Sequence, residues 1–141
     1  MTTKESQVFS EDAAQVTFMR ASGQTTKDIN MQQFALYVTL MEEEIAEFTA
    51  AYAEFLSNPE HNVSALTEVI DGLLDIVVTA KGGLYSLGVP MLPAIEEVWK
   101  SNLTKISSSG LVEKRADGKV LKPAGYLPPN LKQFNKLYYR R

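Results

Sequence analysis

The sequence predicts an all-α protein: an antiparallel four-helix bundle with a short C-terminal hairpin and an extended tail. Three observations carry that prediction. Apolar residues recur at helical spacing in long runs between residues 31 and 80,. Gly, Pro and Asn breaks punctuate those runs at short intervals, so consecutive helices must fold back on one another,. After Ser107-Ser108-Ser109-Gly110 the texture changes, with Asp117-Gly118 at a turn and Pro123, Pro128 and Pro129 beyond it,. The whole is read as a single domain over 1–141, with a helical core at about 11–106 and a basic hairpin and tail at about 107–141.

The first helix is expected from 11 to 22. Ser10 caps it, Glu11 and Asp12 suit its first turn and Gly23 ends it,. The second starts after Asn30, with Gln33 at capping-box spacing, and stops at Ser57-Asn58-Pro59,. Its residues Phe34, Val38, Met41, Ile45, Phe48, Tyr52 and Phe55 form a near-heptad stripe, read as a packing face,. Ser64 is expected to cap the third helix, whose Leu66, Val69, Ile70, Leu73, Leu74 and Val77 make a broad apolar face. Gly82-Gly83 is read as loosening its end, and Gly88-Val89-Pro90 as a clear break,. A fourth helix is expected from about Leu92 to about Lys105.

The 141 residues include no cysteine and one histidine, His61, which rules out disulfides and argues against a zinc site,. His61 lies in a polar loop and is read as exposed. The N-terminus lacks a basic segment followed by an apolar run, and no stretch approaches the roughly 20 apolar residues of a membrane span,. A soluble, cytoplasmic chain without membrane partners is expected.

Charge is unevenly placed. Residues 1–98 hold 4 basic and 15 acidic side chains, a balance of −11; residues 99–141 hold 10 and 2, a balance of +8. A cation site facing an anion site fits this pattern, as does an ordinary basic C-terminus. Nucleic-acid binding is not expected on this distribution, because the basic residues are spread over flexible segments beside an acidic body.

Between residues 29 and 80 there are nine carboxylates and no Lys or Arg. A solvated helix face normally mixes signs, since like charges one turn apart repel. On the second helix Glu43, Glu44 and Glu47 fall within an arc of about 100°, with Glu44 within about 60° of Met41 and Phe48. On the third, Glu68, Asp71 and Asp75 lie within about 60° of one another, pointing away from Leu66, Leu73 and Val77. Packed side by side, the two helices gather five or six carboxylates around one space. Hard divalent cations with oxygen ligands relieve such a cluster. Two water-facing acidic surfaces are the alternative, and the cation reading works best if a second subunit covers the third helix.

These residues resemble a known superfamily. Glu43-Glu44-Ile45-Ala46-Glu47 is similar to the EExxE motif of the all-α, MazG-like nucleoside triphosphate pyrophosphohydrolases, and Glu68-Val69-Ile70-Asp71 to their ExxD motif. Asp71 to Val78, Leu87-Gly88-Val89 and Glu97 to Lys105 continue the likeness. Asp117 to Pro129 resembles the phosphoribosyl-ATP pyrophosphohydrolase-like subgroup. The likeness runs from about residue 16 to 131; EExxE alone is weakly specific, and the ordered set is strong.

The resemblance implies Mg²⁺-dependent attack of water at the α-phosphorus of a nucleoside triphosphate, with release of pyrophosphate and with Mn²⁺ able to substitute. It implies Glu43, Glu44, Glu47, Glu68, Asp71 and Asp75 as metal ligands, and Glu44 or Glu47 as the base. Taken literally the ExxD pair is Glu68 and Asp71; counted back from Gly88 it is Asp71 and Asp75. Lys105, Lys119 and Lys122 are read as phosphate contacts, Asn102 as a ribose or base contact, and Tyr126 as lying over the base. Phe18 and Gln24 flank the base by analogy alone. Core packing is the competing reading for Trp99 and Tyr126. The expected substrate is a nucleoside triphosphate, a deoxynucleotide and a purine before the alternatives, and the expected working unit is a homo-oligomer, at least a dimer. Two other functions fit: a phosphoribosyl-ATP pyrophosphohydrolase of histidine biosynthesis, and a non-enzymatic helical module that binds a metal or a partner.

Overall fold

The computed structural model describes residues 9–138, so the last three residues of the expected tail lie outside the described residues. Among the described residues the regular elements are helical: α1 (Glu11–Ala21), α2 (Met31–Ser57), α3 (Val63–Ser86), α4 (Met91–Leu103) and a short 3₁₀ turn at Lys132–Phe134. The chain divides into two compact units between Gly88 and Val89. The first holds α1, α2 and α3; the second holds α4 and everything after it. No described helix is long and apolar enough to cross a membrane.

Local chemistry sets the helix starts. Ser10 Oγ accepts from the Ala13 N–H at 3.2 Å, and Asn30 Oδ1 accepts from the Gln33 N–H at 3.0 Å,. Gly23, at φ 75°, closes α1 in the left-handed conformation that glycine adopts freely,. Two caps differ from the sequence expectation. Asn62, not Ser64, caps α3, its Oδ1 accepting from the Ala65 N–H at 3.2 Å. Gln33 does not reach back to complete a capping box. Its amide accepts from the Thr25 N–H at 2.9 Å and donates to the Thr25 carbonyl and to Ser86 Oγ, both at 2.8 Å. The Asn30 N–H goes instead to the Ser86 carbonyl at 2.8 Å. Gln33 thus ties the loop before α2 to the end of α3.

α2 and α3 make the main packing contact of the first unit. Phe48 lies against Gly72, Tyr37 against Gly82 and Phe34 against Gly83, a register that runs in opposite directions along the two helices. The contact is close because α3 turns small residues inward: Ala65, Gly72, Thr79, Gly82 and Gly83 are buried. Gly82 and Gly83 therefore do not loosen α3; they seat the rings of Tyr37 and Phe34. The large residues face the other way. Leu66, Ile70, Leu73, Leu74, Val77 and Val78 are exposed, which reverses the expected core face of this helix. In α2 the buried residues are Gln33 and Tyr37, while Ile45 and Tyr52 of the near-heptad stripe are exposed. α1 docks on α3 through polar side chains described below, and its Met19 is fully buried.

In the second unit α4 leads into turns. The reversal at Asp117-Gly118 is present: the Arg115 N–H donates to the Lys119 carbonyl at 2.7 Å, and the Leu121 N–H to the Glu113 carbonyl at 2.8 Å. The ladder amounts to isolated bridges, Lys114 with Val120 and Ile106 with Val112, so the expected hairpin lacks regular strands. Arg115 instead braces the turn with a two-pronged ion pair to Asp117, which holds the Asp117 carboxyl below its usual range,. Ser101 Oγ donates to the Leu127 carbonyl at 2.7 Å and anchors the Pro-rich stretch to α4. That stretch ends in the 3₁₀ turn, a short departure from the extended tail expected there.

Candidate functional site

The carboxylates of α2 and α3 act on one another across the helix pair. Glu44 is half-buried, and its Oε2 is hidden from solvent with no hydrogen-bond partner. Burial raises its carboxyl above the ordinary glutamate value, and the charges of Asp75, Glu47, Asp71 and Glu43 raise it further,. The EExxE segment and the Asp71–Asp75 turn therefore share one electrostatic field. Packing explains why. Phe48, one turn from Glu44, rests on Gly72, the neighbour of Asp71. The missing Cβ at Gly72 lets α2 approach and brings the two acidic strips together. Asp75 exerts more on Glu44 than Asp71 does, and Glu68, exposed nearer the start of α3, is not among the groups that raise it.

Oxygen donors of this kind, with an orphaned carboxylate at their centre, match the needs of a hard divalent cation. Among the described residues no three carboxylates stand close enough to hold an ion as they lie. Glu43, Glu47 and Asp71 are exposed.

The cluster has a stability consequence. In the folded chain Glu44 holds its proton at pH values where the unfolded chain, at its ordinary value of 4.5, has lost it. The folded state is therefore penalised above the raised pKa, and the penalty fades as pH falls through it. Glu44→Gln is expected to raise the melting temperature of the metal-free chain at neutral pH. Its advantage shrinks toward acid in melts taken from about pH 8 to about pH 4. A variant that melts with the wild type at neutral pH would contradict the buried-charge assignment.

The remaining site residues divide between the units. In the first, Phe18 projects from α1 and is 66% exposed. Gln24 lines an open cavity of about 310 Å³ with Arg20, Thr25, Thr26, Lys27 and Asp28. Its Oε1 accepts a 2.6 Å hydrogen bond from the Tyr37 hydroxyl, so part of its role is to fix that wall.

In the second unit, Lys105 Nζ donates to Asn102 Oδ1 at 2.9 Å. Lys105 and Lys122 stand 5.8 and 5.1 Å from the centre of the Tyr126 ring,. Asn102, Lys105, Lys122 and Tyr126 thus form one cationic, ring-floored group. Lys119 is exposed in the Asp117-Gly118 turn and is not part of that group. Tyr126 is half-buried rather than core, and Trp99, 61% exposed, is not a core residue. His61 is exposed as expected.

Sequence reasoning missed Lys81 and Tyr85 of α3. Both are buried, with polar ends turned to Glu11 and Asp12 of α1. The available signal was Lys81 itself, the single Lys or Arg between 28 and 99, set in an apolar helix. Its partner, 70 residues away, has no local signature. Neither protein-family models nor curated proteins give a match to this chain.

Proposed function

We propose that the chain is a divalent-cation-dependent nucleoside triphosphate pyrophosphohydrolase. The observation that carries the reading is Glu44. It is an acidic side chain with a shielded, unpartnered oxygen, under the charges of four further carboxylates from two helices whose one base, Lys81, is paired with Glu11 of α1. Natural chains rarely leave such a group unsatisfied unless something binds there. The resemblance of the EExxE and ExxD segments to the MazG-like superfamily supplies the reaction class, and the four-helix bundle of that superfamily is the architecture proposed for the working unit.

In this reading Glu43, Glu44 and Glu47 of α2 and Asp71 and Asp75 of α3 hold the cation, with Glu68 at the margin. Mg²⁺ when bound neutralises phosphate oxygens and lowers the pKa of water. The chain's own residues do the rest. Glu47 or Glu44 takes the proton of the attacking water, and a raised carboxyl suits Glu44 to that task,. Water oxygen bonds to the α-phosphorus, the bond from that phosphorus to the bridging oxygen breaks, and pyrophosphate leaves. Lys105 and Lys122, grouped on Tyr126, are suited to polyphosphate charge, with Lys119 as a further contact and Asn102 for the sugar or base. Phe18 and Gln24 flank the base. A deoxynucleotide, purine before pyrimidine, is the proposed substrate. The outward leucines and valines of α3 support a homo-oligomer as the working species,.

The test is a panel of ribo- and deoxynucleoside triphosphates, with phosphoribosyl-ATP included, incubated with Mg²⁺ and resolved by anion exchange. The assay is run on the species defined by sedimentation. Monophosphate and pyrophosphate are the expected first products. Diphosphate and free phosphate, or no turnover at all, would overturn the proposal.

A further inference from the structure

α1 is held to α3 by a ladder of polar side chains. In its first turn Glu11 Oε1 pairs with Lys81 Nζ at 2.9 Å, and Asp12 accepts a hydrogen bond from the Tyr85 hydroxyl. One turn on, Gln15 Nε2 donates to the Val78 carbonyl at 3.2 Å, and one turn further Met19 is fully buried. Lys81 is the unusual member. It is 4% exposed, whereas Glu11 lies open to solvent. A buried ammonium carries a large desolvation cost that is tolerable only with an opposite charge in place. Lifting α1 away removes that charge, so the pair resists undocking more than a surface ion pair does.

The location gives the ladder a use. Val78 is one turn beyond Asp75, so α1 crosses α3 beside the acidic cluster,. Phe18 precedes Met19 and projects from the same turn, and Arg20 and Gln24 follow it along the wall of the open cavity. We propose that Glu11–Lys81 and Asp12–Tyr85 form a latch that sets the docked position of α1, and through it the placement of Phe18, Arg20 and Gln24 against the substrate. The inference rests on the pyrophosphohydrolase reading above. Lys81 and Tyr85 are positioning residues: they touch neither the reacting atoms nor the cation, and act only through α1.

The experiment uses the full chain and two measurements, amide hydrogen exchange along α1 and steady-state kinetics with the best triphosphate of the panel. Glu11→Gln changes an exposed residue and leaves Lys81 buried without its counter-charge. It is expected to speed exchange in α1 while α2 and α3 keep their protection. KM is expected to rise about fivefold with kcat little changed, the size of one ordinary hydrogen bond. Adding Lys81→Met removes the orphaned charge and is expected to restore both the protection of α1 and KM. Unchanged exchange in Glu11→Gln would overturn the latch. Loosened exchange with unchanged KM would overturn its positioning role and leave a merely structural pair. Absence of turnover in the wild-type chain would remove the hydrolase reading, and the latch would then stand or fall on the exchange data.

Discussion

Glu47→Gln and Asp75→Asn are each expected to lower turnover by about a hundredfold or more, with the helical circular dichroism intact. The magnitude follows from comparison. Groups that merely orient a metal ligand already cost tenfold to a hundredfold when removed, and a ligand costs at least as much. Both substitutions keep the volume of the side chain and replace a hard anionic oxygen by an amide. Each also removes one of the charges that raises Glu44, so the metal-free fold loses repulsion rather than gaining strain. Low activity with an undamaged fold is therefore the expected combination. Near-normal turnover in either variant, at saturating Mg²⁺, would strike that residue from the site.

Gly82→Ala is expected to destabilise the chain by about 2 kcal/mol, although alanine is the better helix former. Two effects oppose each other. Replacing a mid-helix glycine gains about 1 kcal/mol of propensity. Against it, a Cβ at Gly82 falls inside the van der Waals envelope of the Tyr37 ring. That ring is buried and its hydroxyl is committed to Gln24, so it has no free direction in which to retreat. Overpacking a fixed core costs about 1–3 kcal/mol and more where backbone must shift, which outweighs the gain. For a chain of this size the melting temperature is expected to fall by roughly 4–8 °C. Gly125→Ala is the control. Nothing lies within 4 Å of its Cβ position, and its effect is expected to stay within about 0.5 kcal/mol,. A Gly82→Ala chain that melts at or above the wild type would show that α2 and α3 do not meet as described.

The helices were legible in the sequence because their signals are local. Ser10 and Asn30 announce α1 and α2 within three residues of the N–H groups they cap. Asn62 and Ser64 are both acceptable caps, and only the backbone, non-helical at Asn62 and helical from Val63, decides between them. The inward face of α3 was misread for a different reason. Periodicity locates a stripe of leucines, but it does not say whether bulk or smallness meets the neighbour. Here Gly72, Gly82 and Gly83 face α2. The EExxE segment and Asp71–Asp75 were legible as a cluster because each lies on one helical arc. The weaker standing of Glu68 was not, since it depends on where α2 crosses α3. Lys81 and Glu11, 70 residues apart, carry no mutual signature in a single sequence.

On α3 the customary link between side-chain size and mutational tolerance is turned over. Trimming Leu74 or Ile70, which stand outside, removes little that the chain's own fold relies on, while one added methyl at Gly82 is a serious defect,. Constraint on the glycines therefore acts through the fold, and constraint on the outward residues must come from outside it. The two sides of the helix thus answer to different constraints, and the outer one is free to vary without disturbing the inner one.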